Sequence, residues 1–140
     1  MYLVDTNIIS EARKKTKANK GVRDFFKQAI NENTPLFISV ITVGELRRGV
    51  ECIRYRGDSR QANLIEKWLT SILDEYSDFI LPIDEEIAQL WGHLRTPNPE
   101  SALDKLIAAT ALIHDLTVVS RNLKDFKKTG VRVTNPFTSQ

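Results

Sequence analysis

Residues 102–126, ALDKLIAATALIHDLTVVSRNLKDF, decide how the chain is read. Leu103, Leu106, Ile107, Thr110 and Ala111 recur at helical spacing, with the acid Asp104 in the opening turn. The β-branched run Thr117 to Ser120 then reads as a short buried strand, and the polar segment Arg121-Asn122-Leu123-Lys124-Asp125 follows at once. A helix feeding a buried strand is half of a parallel α/β unit, whose ligands sit beyond the carboxyl ends of the strands. Asn122 and Asp125 therefore belong to the functional edge.

The pattern extends outward in both directions. Tyr2-Leu3-Val4 is a first apolar run, stopped by Asp5-Thr6-Asn7, and Ile8 to Arg13 reads as a helix capped by Thr6 or Asn7. Val22, Phe25, Phe26, Ala29 and Ile30 form a second helix, broken at Asn33-Thr34-Pro35, and Leu36 to Val40 a second strand. Thr42-Val43-Gly44-Glu45 has the spacing of a capping box, which gives Glu45 a structural reading beside any catalytic one. After Gly57-Asp58-Ser59, the residues Ala62, Ile65, Trp68, Leu69, Ile72 and Leu73 make the core or dimer-contact stripe of a long helix. Phe79 to Ile83 is a third strand, Asp84 a cap, Ile87 to Leu94 a helix ended by Pro97-Asn98-Pro99, and Val131 to Val133 a last strand. The alternation predicts a three-layer α/β/α fold with a mainly parallel central sheet, in a single domain of residues 1–140.

Bulk properties narrow the function. The chain has 140 residues, 41% hydrophobic and 27% charged, as expected of a globular domain. Its longest apolar run, about seven residues near Phe37 to Val43, is far shorter than a membrane span, and with no basic leader a cytoplasmic location is expected. One cysteine, Cys52, rules out an internal disulfide, and His93 and His114 lack zinc-ligand spacing. A net charge of +2 does not by itself argue for nucleic acid, but basic clusters at Arg13 to Lys17, Arg47-Arg48, Arg54 to Arg60 and Lys124 to Lys128 make local patches or solvated faces.

Asp5, Glu45 and Asp104 lie at strand ends or helix starts, so a parallel sheet brings them to one edge. Carboxylates gathered without His or Cys suit Mg²⁺ or Mn²⁺; the competing reading is that each acid complements a helix N-terminus. The sequence lacks G-x-G-x-x-G after a strand, G-x-x-x-x-G-K-[ST] and G-x-S-x-G, which removes dinucleotide, P-loop and hydrolase-elbow readings. A phosphoacceptor aspartate at Asp5 remains open, although position 7 is Asn where a second acid would be expected.

The segments Tyr2-Leu3-Val4-Asp5-Thr6-Asn7, Ser39 to Leu46, Asp104-Lys105-Leu106-Ile107-Ala108-Ala109 and Ser120 to Phe126, in this order and spacing, resemble PIN-domain ribonucleases. They look most like the VapC-type toxins, FitB-like branch included, of toxin-antitoxin pairs. The resemblance implies an endoribonuclease dependent on Mg²⁺ or Mn²⁺, a homodimer, and inhibition by a cognate antitoxin, with higher toxin-antitoxin assemblies. It carries the acidic metal site onto Asp5, Glu45 and Asp104, with hydroxyl support from Thr6 and Ser120. The family's fourth acidic position falls on Asn122, so Asp125 is the carboxylate left to supply that charge or to stabilise the turn before Phe126. RNA must pass an acidic pocket, and Arg13, Lys14, Lys15, Arg47, Lys105 and Arg121 are the candidate phosphate contacts at its rim, some of them alternatively antitoxin contacts. A PIN nuclease of RNA processing without an antitoxin, and a degenerate PIN module that binds RNA or protein, are the other readings.

Overall fold

The computed structural model describes residues 1–138. Five parallel strands, β1 (Tyr2–Val4), β2 (Leu36–Ser39), β3 (Ile80–Leu81), β4 (Thr117–Val119) and β5 (Val133–Thr134), form one sheet in the order β3-β2-β1-β4-β5. The central strand β1 pairs Leu3 with Phe37 of β2 on one side and with Val118 of β4 on the other. Chain order reverses around β1, which makes the edge beyond it the crevice of the sheet.

Alternation along the strands separates two cores. Val4, Ile38 and Val119 face a layer built from α1 (Thr6–Ala12), α2 (Lys20–Asn31), α3 (Val40–Tyr55) and α4 (Ser59–Glu75), through Ile8, Ile9, Val22, Leu46, Val50, Ala62 and Leu69. Leu3 and Val118 face the opposite layer, where α6 (Ala102–His114) supplies Ile107, Ala108 and Ala111, and α7 (Leu123–Lys127) supplies Phe126. Leu94 at the end of α5 (Glu85–Leu94) packs on the same side. The fold is thus the expected three-layer parallel α/β/α arrangement. Among the described residues, no helix is long and apolar enough to cross a membrane.

Local chemistry moves several boundaries from their expected positions. α1 is capped by Asp5, whose carboxylate accepts from the Thr6 amide at 2.8 Å, and not by Thr6 or Asn7. α3 begins at Val40, because the Ser39 hydroxyl accepts from the Ile41 amide at 3.0 Å and takes the cap position three residues ahead of Thr42. The capping-box reading of Glu45 therefore fails: Thr42 and Glu45 both lie inside the helix. The polar segment after β4 winds into α7, which the spacing did not predict, since five residues are too short to show a helical period. The third and last strands are shorter or shifted, Ile80–Leu81 and Val133–Thr134, with Val131 buried ahead of β5. Ala62 and Leu69 of the α4 stripe are buried in the first core, Ile65, Trp68, Ile72 and Leu73 pack against it half-buried, and His93 and His114 are exposed.

Candidate active site at the carboxyl edge of the sheet

Asp5 follows β1 and is only 5% exposed, yet each of its oxygens is occupied. Oδ1 takes the Thr6 amide; Oδ2 accepts from the Ser120 hydroxyl at 2.8 Å and from the Asn7 side-chain amide at 3.3 Å. Burial pushes the Asp5 carboxyl above its ordinary range, and the Ser120 and Thr6 bonds pull it partly back. The cap role and a ligand role are compatible here, because Oδ1 serves the helix while Oδ2 points into the network around Ser120.

Glu45 arrives from α3. With the cap at Ser39, its side chain reaches across to α1, where Oε1 accepts from the Thr6 hydroxyl at 2.7 Å. That hydroxyl also lies 3.3 Å from the buried Thr42 hydroxyl, so one threonine ties the end of β1 to α3. Ser120 ties it to β4: besides donating to Asp5, its oxygen accepts from the Asn122 amide at 2.9 Å.

Asp104, in the first turn of α6, closes the edge. Its Oδ2 accepts from the Asn122 side-chain amide at 3.0 Å. Its carboxyl is pushed up to about 6, first by burial, then by the neighbouring charges of Asp5, Asp125 and Glu45, with the Asn122 bond opposing. Asp5, Asp125 and Glu45 thus each lie close enough to Asp104 to oppose its ionisation. Among the described residues, no three His, Cys, Asp or Glu side chains stand close enough together to hold a metal ion between them. An oxygen-only set that repels itself is what a hard divalent cation relieves. Mg²⁺ keeps several of its waters and needs only one or two carboxylates, so an open set fits it.

The basic candidates separate by environment. Arg121 lies beside the acids: its backbone amide donates to the Asn7 side-chain oxygen at 3.2 Å, and its guanidinium sits 4.5 Å from the centre of the Phe137 ring. Arg13 lies 6.0 Å from the Trp68 ring, and Lys14 pairs with Glu11 at 2.9 Å. Lys15 is exposed in a short 3₁₀ turn (Lys15–Lys17). Arg47 is turned to Glu51 and Glu66, at 3.2 and 3.5 Å. Lys105 departs from the rim expectation: it is 5% exposed and its ammonium is bonded to the Asn98 carbonyl, because its place in α6 faces inward. The sequence reading overlooked Asn7, which links Asp5, Ser120 and the Arg121 amide. Its position two residues past Asp5, on the same helix start, was the available signal.

Fold and site define a parallel α/β domain with an acidic, cation-suited edge. The PIN domain profile matches residues 2–131, and the chain belongs to the PIN-domain family. It is 36% identical to "Toxin FitB" of Neisseria gonorrhoeae, over 98% of this chain and 99% of that protein. It is 28% identical to "VapC ribonuclease Y4jK" of Sinorhizobium fredii, over 98% of each. The crystal structure of FitAcB from Neisseria gonorrhoeae superposes with a TM-score of 0.84 at 35% identity, covering 97% of this chain and 98% of the other. A "Toxin-antitoxin complex from Klebsiella pneumoniae" superposes at 0.63 with 29% identity, covering 99% and 100%.

Proposed function

We propose that this protein, acting as one unit over residues 1–140, is a Mg²⁺- or Mn²⁺-dependent endoribonuclease and the toxin of a type II toxin-antitoxin pair. The observation that carries the reading is the gathering of Asp5, Glu45 and Asp104 in one hydrogen-bonded network at the sheet edge, with Asp125 close enough for its charge to act on Asp104. The relatives named as toxin and as VapC ribonuclease supply the substrate class and the partner, a cognate antitoxin. A homodimer, a higher toxin-antitoxin assembly and a cytoplasmic location belong to the same reading.

Asp5, Asp104 and Glu45 are the residues that would hold the cation, with Asp125 within range of the same charge. When bound, it supplies Lewis-acid polarisation of the scissile phosphate and a water acidified toward neutral pH. The chain's own side chains do the positioning. Ser120 and Asn7 fix the Asp5 carboxylate, and Asn122 holds Asp104 from the other side. Glu45, fixed by the Thr6 hydroxyl, orients the attacking water for in-line displacement. Asn122 adds no charge of its own, which leaves Asp125 as the carboxylate that would supply a fourth negative charge.

The test is cleavage of total and transfer RNA by antitoxin-free protein with Mg²⁺, Mn²⁺ or EDTA, alongside Asp5→Asn and Asp104→Asn. Cleavage that needs the metal and both acids supports the reading. Cleavage indifferent to them refutes this site in favour of a different centre or a contaminant, and none by folded, metal-loaded protein refutes the nuclease in favour of a binding module.

A further inference from the structure

Glu45 is the first residue of a longer feature. Turning 100° per residue, α3 sets Glu45, Arg48, Gly49, Cys52, Tyr55 and Arg56 along one stripe, at i, i+3, i+4, i+7, i+10 and i+11. From Arg48 onward the stripe opens into a surface cavity of about 620 Å³, walled by Arg48, Glu51, Cys52, Arg54, Tyr55 and Arg56.

Three observations show what this cavity suits. The first is charge. Glu51 and Glu66 are shared between Arg47 and Arg54, at 2.5 to 3.5 Å, so those four charges offset one another. Arg48 and Arg56 form no ion pair among the described residues and leave the cavity positive. The second is Tyr55, 93% exposed at the helix end, a flat ring standing in water. The third is Gly49. A β-carbon there would meet nothing within 4 Å, so no internal contact demands glycine, yet the stripe is left bare midway between Glu45 and Tyr55.

We propose that this stripe is the track for the single-stranded RNA flanking the scissile bond, with phosphates on Arg48 and Arg56 and a base stacked on Tyr55. The inference rests on the endoribonuclease reading and deepens it. Glu45 and Tyr55 are ten residues apart, about 15 Å along the helix, so a strand leaving the acids passes over Gly49 to reach the ring. Uncompensated guanidinium groups beside an exposed aromatic ring are the usual platform for single strands, where stacking tolerates any base. Duplex RNA hides its base faces and could not use Tyr55. A second copy of the chain is disfavoured, because a two-fold contact through this face would bring the arginines of both copies together.

The test is fluorescence anisotropy with a labelled, unstructured 12-nucleotide RNA and the full chain, over a KCl series, with EDTA present to keep the RNA whole. Circular dichroism and light scattering on each variant check fold and oligomeric state. Tyr55→Ala should weaken binding by roughly 5- to 100-fold, whereas Tyr55→Phe should stay within about twofold of wild type. The Arg48→Gln/Arg56→Gln double variant should flatten the slope of log affinity against log salt by about 1.4, near 0.7 per lost phosphate contact. Folded variants that bind like wild type overturn the track alone. So does a Tyr55→Ala variant whose only change is dissociation of a dimer, which would mean that a second copy covers this face. Wild-type protein that binds no RNA in this assay also overturns the track, while the nuclease reading stands or falls separately, on the metal-dependent cleavage test.

Discussion

Replacing Asp104 by asparagine should stabilise the metal-free protein at neutral pH, although it removes a central residue of the proposed site. The Asp104 carboxyl is raised from 3.8 to about 6. At about 1.36 kcal/mol per tenfold change in proton affinity, that interval sets a ceiling near 3 kcal/mol. Asp104 is only partly buried, and solvent screening brings the expected gain down to about 1 kcal/mol. For a chain of this length the gain corresponds to about 3 °C in Tm. The sign follows from linkage. A carboxyl that binds its proton more tightly in the folded state stabilises the fold fully below 3.8, and that contribution is lost as pH rises through about 6. Asparagine carries no such loss, and its side-chain oxygen can still accept from Asn122. Thermal melts in EDTA should therefore show Asp104→Asn ahead of wild type at pH 7.5, with the gap closing towards pH 5. Added Mn²⁺ should reverse the order, because wild type gains from binding and the variant gains little. A variant less stable than wild type at pH 7.5 in EDTA, or a gap that does not change between pH 5 and 7.5, would refute the crowding argument.

Two further expectations concern supporting residues. Ser120→Ala removes the hydroxyl that donates to Asp5 and accepts from the Asn122 amide; it should cost about 1–3 kcal/mol, raise the Asp5 carboxyl further and weaken Mn²⁺ binding by calorimetry, and unchanged metal affinity would count against the network. The glycines should part company in chemical denaturation. Gly49→Ala, with nothing within 4 Å of the added carbon, should stabilise by about 0.5–1 kcal/mol, whereas at Gly21 that carbon would lie 1.9 Å from the Pro136 carbonyl oxygen and should destabilise by at least about 1–3 kcal/mol.

The layers and the parallel sense of the sheet were legible because they rest on periodicity and on the alternation of strands with helices. Alternation in Leu3-Val4 and Val118-Val119 divides the two cores; the repeat of α4 buries the face that the spacing indicates, and that of α6 does so through Ile107, Thr110 and Ala111 but leaves Leu103 exposed, because it lies in the first turn. Elements governed by one or two contacts were not legible. α7 is five residues long and is held by Phe126, fully buried against α6 and β4, a tertiary contact that no local pattern announces. Lys105 looked like a rim cation because lysine seldom sits inside; its inward place on α6 and the Asn98 carbonyl waiting for its ammonium override that preference.

The start of α3 shows how a small local choice decides what an acid can do. Thr42 and Glu45 have capping-box spacing, and a helix beginning at Thr42 would fold the glutamate back on its own first amides. Ser39 prevents this. It is fully buried at the end of β2, and its hydroxyl takes the Ile41 amide as soon as the strand ends. The helix therefore starts within the sheet edge itself, Thr42 becomes a buried interior residue, and Glu45 is carried a full turn past the cap, where the nearest donor is the Thr6 hydroxyl on another element. A cap three residues later, at Thr42, would keep the same sequence and sheet order but leave Glu45 bonded to its own helix. The acid is available to the site because a serine, and not the threonine three residues after it, wins the competition for the first free amides of α3.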